Sequence, residues 1–102
     1  MPLDFTVIED ERRAGAISSL GAREHAALMG QARVLGLPLL QRFADFASDA
    51  EVALPELPAL ARELEQVAAT GGGAEVVAAL HVLRAALACA QRLGTPLVAL
   101  AD

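Results

Sequence analysis

The stretch that most constrains the fold is residues 74–93, Ala-Glu-Val-Val-Ala-Ala-Leu-His-Val-Leu-Arg-Ala-Ala-Leu-Ala-Cys-Ala-Gln-Arg-Leu. Ala, Leu and Arg favour helix, and no Pro or Gly interrupts the run. Apolar residues at helical spacing cover all but a thin polar strip: Val76, Val77, Leu80, Val82, Leu83, Ala86, Leu87, Ala90 and Leu93. A helix that is apolar around most of its circumference is normally central to a domain. We therefore predict that this helix is the most buried element, with Leu80, Leu83 and Leu87 almost inaccessible to solvent.

Residues 21–47 predict two helices joined by a short turn. Gly21 and Glu24 have the spacing of an N-cap and a capping-box residue. Gly36 followed by Pro38 is a strong stop signal, and Pro38 can also occupy the first position of the next helix. Apolar residues at three- and four-residue spacing then run through residues 39–47, which predicts that the second helix extends that far.

A third amphipathic helix is predicted before the central one. Pro55 and Pro58 fit only a first helical turn. The apolar stripe that follows consists of Leu57, Leu60, Ala61, Leu64, Val67 and Ala68, while Glu56, Arg62, Glu63 and Glu65 are expected to face outward. Residues 70–73, Thr-Gly-Gly-Gly, then form a flexible stop, so this helix and the central one should lie antiparallel.

The remaining segments predict strands. Residues 3–8 alternate apolar and polar side chains, as a half-buried strand does. Residues 9–13 are a charged connection, residues 14–20 can return as an antiparallel strand, and residues 97–100 form a closing strand. Residues 51–54 fit either a short strand or a linker. Strands at both ends with helices between them predict an α+β fold that is mostly helical. We expect about four helices packed on a small antiparallel sheet formed by the N- and C-terminal strands, in a single domain spanning residues 1–102.

Charge and composition narrow the classes of partner. The chain has 13 acidic and 8 basic residues, a net charge of −5, and no stripe of basic residues, so binding to nucleic acid is not expected. An acidic protein is better suited to a basic partner. No stretch of about 18 apolar residues is free of charge and no signal peptide precedes the first strand, so we expect a soluble cytoplasmic protein without membrane contact. Abundant Ala and Arg, without Lys or Asn, indicate a bacterial source with a GC-rich genome.

The sequence contains no pattern of catalytic or metal-binding residues. His25 and His81 have no second His and no carboxylate four residues on, so we predict a surface or satisfied structural role for each and no metal site. Cys89 is the single cysteine, which excludes an internal disulfide, and we predict a buried structural thiol. Ser18 and Ser19 are expected to serve a turn or a helix cap. We therefore expect no cofactor and no enzymatic activity.

Five acidic residues are the candidate partner-binding residues. Glu9, Asp10 and Glu11 form a cluster in the first charged connection, and Asp49 and Glu51 lie near the proposed short strand. Their spacing is not that of a calcium-binding loop. A solvated turn is the simplest interpretation of the cluster, and an electrostatic contact with a basic partner is the alternative.

The layout of the whole chain resembles a known family. The resemblance is carried by the strand Leu3–Ile8, the segments Glu24-His25-Ala26-Ala27-Leu28, Leu37-Pro38-Leu39-Leu40 and Leu57-Pro58-Ala59-Leu60 with Glu63-Leu64, and the short strand ending at Asp102. These features are similar to those of small acidic immunity proteins that bacteria pair with secreted polymorphic toxins. The resemblance implies a cytoplasmic inhibitor that binds and blocks a cognate toxin domain. Two other hypotheses stay open: a structural or regulatory module that acts as a homo-oligomer such as a homodimer, and a small enzyme that uses His25 or His81.

Overall fold

Helices and strands occur in the predicted order in the computed structural model, which describes residues 3–9, 12–13 and 18–101. The strands are β1 (Leu3–Glu9), β2 (Arg12–Arg13), β3 (Ser18–Leu20), β4 (Ala50–Val52) and β5 (Leu97–Ala101). The helices are α1 (Ala22–Leu35), α2 (Pro38–Gln41), α3 (Leu57–Thr70) and α4 (Gly73–Leu93), and a 3₁₀ turn spans Leu54–Glu56. The predicted α+β fold is confirmed, with four helices packed against an antiparallel sheet that includes the N- and C-terminal strands.

Strand β1 lies in the interior of the sheet. It pairs with β5 along one edge and with β2 and β3 along the other, and β4 pairs with the far side of β5. Residues 18–20 therefore return antiparallel to β1 as predicted, whereas residues 14–17 of the predicted strand lie outside the described residues. Residues 12–13 pair with β1 where a connection was expected. Of residues 51–54, for which a strand and a linker were both considered, Glu51 and Val52 belong to the strand Ala50–Val52, and Leu54 begins the 3₁₀ turn.

Alternation along the strands assigns each side chain to one face of the sheet. Leu3, Phe5 and Val7 are at most 1% exposed and belong to the core that the helices cover. Val7 lies opposite Leu97, and Leu97 lies opposite Val52, so one apolar row crosses three strands. The intervening residues, among them Asp4, Thr6 and Glu51, belong to the other face, which we call the outer face; this face is partly covered, since Thr6 is 1% and Val98 is 6% exposed.

Helix α4 packs its inner side against the sheet and the neighbouring helices α1 and α3. Leu83 is fully buried and Leu80 and Leu87 are each 5% exposed, which confirms their predicted burial. The prediction that α4 is the most buried element is wrong, because Val77 is 55% and Leu93 is 42% exposed, whereas Phe5, Thr6 and Val7 of β1 are each at most 1% exposed. A helix on one side of a sheet is covered over about half of its circumference, and apolar residues on its outer half do not indicate burial. By length and composition alone, α4 could also cross a membrane.

Helix α2 is shorter than the apolar spacing predicts. It ends at Gln41 rather than at residue 47, and the chain continues in turns. Phe43 is buried edge-to-face against Phe5, with ring centroids 5.4 Å apart, and Phe46 lies edge-to-face against His25 at 4.8 Å. Asp45 bonds to the chain just ahead of it, and this kind of local bond competes with helix formation. Phe43 and Phe46 therefore have helical spacing although both lie in turns, because Phe43 packs against Phe5 and Phe46 packs against His25.

Candidate functional site

The candidate site is a group of carboxylates beside β4, the strand at one edge of the sheet. The segment between α2 and α3 carries Asp45, Asp49, Glu51 and Glu56, and we refer to these four residues as the acidic edge. β4 is placed there because it pairs antiparallel with β5, Ala50 opposite Ala99 and Val52 opposite Leu97. The acidic edge is therefore attached to the sheet through paired backbone.

Two of these carboxylates are fixed by hydrogen bonds from nearby groups. Asp45 accepts from the Ala47 N–H at 2.9 Å and from the Ser48 hydroxyl at 2.7 Å. Asp49 accepts from the Ala101 N–H at 2.8 Å, which joins the start of β4 to the end of β5. The bond from the Ser48 hydroxyl, and then the bond from the Ala47 N–H, lower the pKa of Asp45 below its ordinary value. Both carboxylates are therefore held at set positions on the surface.

A two-pronged ion pair closes the other end of the acidic edge. The Arg42 guanidinium donates to both carboxylate oxygens of Glu56, one of them at 2.7 Å, and Glu56 also accepts from the Ala53 N–H at 3.1 Å. Arg42 reaches the Glu51 carbonyl oxygen at 3.4 Å as well. The hydrogen bond between Arg42 and Glu56 is the largest cause of the pKa shift of each residue. It lowers the pKa of Glu56 and raises the pKa of Arg42. Paired in this way, Arg42 offsets part of the negative charge and orders the turn that leads into α3.

Glu51 is the acidic residue of this group whose side chain is left free. It is exposed, and its carboxylate has no hydrogen bond or ion pair with any described residue. Its backbone lies opposite Val98, which lies opposite Thr6 of β1, so the residue belongs to the outer face of the sheet. Glu51 therefore presents a free carboxylate beside charges that are fixed.

The structure brings some of the predicted site residues together and separates others. Asp49 and Glu51 share the acidic edge, together with Asp45 and Glu56, which the sequence analysis did not select. Asp49 bonds to Ala101, opposite Leu3, whereas the backbone of Glu9 lies at the far end of β1, about 20 Å away at 3.3 Å per residue. The Glu9 side chain, Asp10 and Glu11 lie outside the described part of the chain. Asp45 with Ser48 three residues on is a turn pattern that could have indicated one of the missed residues.

The histidines have the roles predicted for them. His25 is 7% exposed, and its Nε2 lies 2.6 Å from the Phe43 carbonyl oxygen, so it is a satisfied structural residue. His81 is exposed on α4. Within the described residues, no three His, Cys, Asp or Glu side chains are placed to hold a metal ion.

Cys89 and the two serines differ from their predictions. Cys89 is half-buried rather than buried, and its sulfur lies 3.8 Å from Arg92 Nη2, one helical turn on. Ser18 donates to the Val82 carbonyl oxygen at 2.9 Å, and Ser19 donates to Asp4 at 2.6 Å. Both serines lie in β3 ahead of the N-cap position of α1, so they join β3 to α4 and to β1 instead of capping a helix.

Glu63 is a buried carboxylate, and the prediction that it faces outward is wrong. It is 7% exposed, and its two oxygens accept from the Leu39 N–H at 3.1 Å and from the Leu40 N–H at 2.9 Å. These amides lie in the first turn of α2. Leu37 is the N-cap residue of this helix, and its side chain makes no capping hydrogen bond. Glu63 thus caps α2 from α3, where both the free N–H groups and the helix dipole favour a negative charge. Its role is structural.

The ion pair between Arg42 and Glu56 leads to a prediction about pH. The pKa of Glu56 is lowered from its ordinary value of 4.5, so the stabilisation is fully present above pH 4.5 and is lost as the pH falls through the folded-state pKa. We expect Glu56→Gln to lower the urea midpoint slightly at pH 7 and to make no difference at strongly acidic pH. Glu65→Gln, on the exposed face of α3, is the control and should show no such pH dependence. A difference for Glu56→Gln that persisted unchanged at low pH would contradict the assignment.

Comparison of the chain with protein-family models, with curated proteins and with solved structures found no match in any of the three.

Proposed function

We propose that this chain is a binding protein that neutralises a cognate secreted bacterial toxin in the cytoplasm by direct complex formation. The observation that carries the proposal is the acidic edge, in which the free carboxylate of Glu51 stands beside fixed carboxylates on a surface strand. The net charge of −5 and the resemblance to small acidic immunity proteins support the same function. Many toxin substrates are anionic, so the active clefts of toxins are often basic, and an acidic surface can occupy such a cleft.

The fixed geometry of the acidic edge suits it to this task. Binding costs free energy for every side chain and loop that must become ordered. Asp45 and Asp49 are already held by hydrogen bonds, so their charges need little reordering. Complementary charge accelerates encounter and favours the right partner more than it raises affinity. The proposed mechanism therefore predicts a fast association step that depends on salt.

The cognate toxin is sought first as the product of a neighbouring gene. If the proposal is right, expression of that toxin domain alone should stop growth, and co-expression of this chain should restore it. The two purified proteins should form a stoichiometric complex. Continued toxicity in the presence of the folded chain, for every toxin gene adjacent to its own, would count against the proposal.

Association kinetics test the acidic edge directly. We expect Glu51→Lys to reduce the association rate constant about three- to tenfold, because it replaces attraction by repulsion at the contact. Glu65→Lys changes the net charge by the same amount on exposed α3 surface and is the matched control. The wild-type rate should fall as salt rises above the physiological range, where the Debye length drops below about 8 Å. Equal rates for the two variants, with no salt dependence, would rule out the acidic edge as the contact.

A separate variant tests the acidic segment formed by residues 9–11. Charge reversal of Glu9, Asp10 and Glu11 together tests whether this segment also contacts the toxin. A slower association for this variant and for Glu51→Lys would indicate a contact that extends along the sheet, because the two segments are separated along β1. A slower association for the triple variant alone would move the contact to the far end of β1.

Action as a homo-oligomer is the second candidate function. It is favoured by apolar side chains that face solvent, with Val34 80%, Val77 55% and Leu93 42% exposed. Sedimentation of the chain over a range of concentrations distinguishes the two functions. A stable dimer formed without any toxin would favour this candidate, and a monomer that binds the toxin would favour neutralisation.

A further inference from the structure

A small apolar groove lies where α3 ends and α4 begins. Val76 and Leu80 are 3% and 5% exposed and form its floor, and Val77, which is 55% exposed, lies on its rim. The tight turn that brings the helices together is made by three consecutive glycines with positive φ, Gly71–Gly73. The groove therefore has an apolar floor and one exposed aliphatic side chain on its rim.

The size of the groove restricts its occupant. Its cavity volume is about 160 Å³. Pockets for drug-sized molecules occupy about 300–1,000 Å³, whereas about 150 Å³ of apolar cavity accommodates a benzene ring. One aliphatic side chain therefore fills the groove, and a large cofactor does not fit.

The rim supplies positive charge and hydrogen-bond donors. His81 and Arg84 line the groove one helical turn apart, so both can face a group at its mouth. Both side chains are exposed, and neither makes a hydrogen bond or ion pair with any described residue. In a chain of net charge −5, an unpaired Arg beside a His on an apolar groove is complementary to a carboxylate.

We propose that this groove binds the C-terminus of a partner protein, with its last aliphatic side chain on Val76 and Leu80 and its α-carboxylate between His81 and Arg84. A C-terminal residue fits because its carboxylate is attached to the same carbon as its side chain. The floor and the cationic rim are likewise adjacent on one stretch of α4. In an extended internal segment, by contrast, an acidic side chain and the side chain next to it in sequence point to opposite faces.

The groove is separate from the acidic edge. Helix α3 begins just after Glu56 and ends at the groove, and its 14 residues span about 21 Å. The acidic edge calls for a basic partner, whereas the rim of the groove calls for an anionic group. The groove therefore goes beyond the proposed function, and the failure of one proposal leaves the other unaffected.

The test is a titration of the isotope-labelled full chain, followed by the NMR shifts of its backbone amides. The probes are acetyl-Gly-Gly-Leu with a free carboxylate and the same peptide with a C-terminal amide. We expect saturable shifts at residues 76–84 with the free acid, and binding about tenfold weaker with the amide, because the amide lacks the charge-assisted bonds. Arg84→Gln should weaken binding of the acid to the level of the amide. Arg62→Gln removes the same charge from exposed α3 surface and should leave binding unchanged.

Three results would overturn the proposal. Equal binding of acid and amide would show that the rim does not recognise a carboxylate. Shifts in residues 76–84 that depend on protein concentration without any peptide would indicate that a second copy of this chain occupies the groove. Isovalerate bound as tightly as the peptide acid would indicate a site for a small aliphatic acid instead.

Val77→Asp places a negative charge on the exposed rim without touching the core, so it should abolish binding of the acid while the chain stays folded.

Discussion

Replacing Leu83 with Ala should lower the free energy of unfolding by about 2–5 kcal/mol. Leu83 is fully buried on the inner side of α4, the side that packs against α1, α3, β1 and β3. The substitution removes apolar contacts and leaves a cavity that the surrounding helices and strands can fill only in part. A loss of this size is a large share of the stability of a domain of about 100 residues.

Leu93→Ala is the matched control for this substitution. It makes the same chemical change at the end of the same helix, at a side chain that is 42% exposed. We expect it to cost less than about 1 kcal/mol, because the side chain keeps much of its contact with water. Urea unfolding followed by far-ultraviolet circular dichroism measures both variants. If Leu83→Ala cost less than about 1 kcal/mol, the core would not lie under α4.

Much of this fold could be predicted because its main elements are encoded by local patterns. The run 74–93 has helical spacing and no breaker, and Gly94 ends it in the left-handed conformation with φ 67°. Gly36 ends α1 in the same way with φ 68°. β1 alternates the apolar residues Leu3, Phe5 and Val7 with polar ones, which is the sequence pattern of a strand with one face on the core, although the polar Thr6 is buried as well. Such signals lie within a few residues of one another, so the sequence alone displays them.

Features that depend on contacts distant in sequence could not be predicted. Phe43 has helical spacing from Leu39 and Leu40, yet it is buried because Phe5, 38 positions earlier, packs against its ring. The apolar spacing that predicts a helix as far as residue 47 therefore reflects the burial of these side chains and not a helical backbone. Val77 and Leu93 show the opposite case, in which apolar residues on a long helix remain exposed because no helix or strand among the described residues covers that side.

The candidate site was predictable only in part, because some of its features depend on contacts distant in sequence. Asp49 and Glu51 could be selected for their charge, since acidic residues near a short strand are visible in the sequence. Asp45 is held by its neighbours Ala47 and Ser48, but whether the other carboxylates are held or free depends on partners elsewhere in the chain. Asp49 bonds to Ala101, 52 positions away, and Arg42 reaches Glu56 across β4. Glu51 differs from the other three carboxylates because its side chain makes no hydrogen bond or ion pair with a described residue.

Glu63 is the residue for which the sequence was most misleading, and its replacement by Ala should cost about 3 kcal/mol. Its carboxylate accepts from the amides of Leu39 and Leu40 in a buried site. Removing it leaves two N–H groups without partners and removes a negative charge from the N-terminus of α2. This role is not visible in the sequence, because Glu63 lies close to Arg62 and Glu65, and charged residues of this kind indicate an exposed face. Glu63→Gln keeps one oxygen acceptor but presents an NH₂ group to the second amide, so we expect a smaller loss of about 1–2 kcal/mol.

Glu65→Ala provides the control, because it makes the same change two residues along α3 at an exposed position. We expect it to alter stability by less than about 0.5 kcal/mol. Amide hydrogen exchange gives a readout that is specific to the cap, since the Leu39 and Leu40 amides should exchange faster in Glu63→Ala than in Glu65→Ala. If Glu63→Ala were no less stable than Glu65→Ala, or if those two amides remained equally protected, Glu63 would not be the cap of α2. Because α2 carries Leu39 and Leu40 into the core and leads directly to Phe43, the loss of its cap should also loosen the turn that positions the acidic edge.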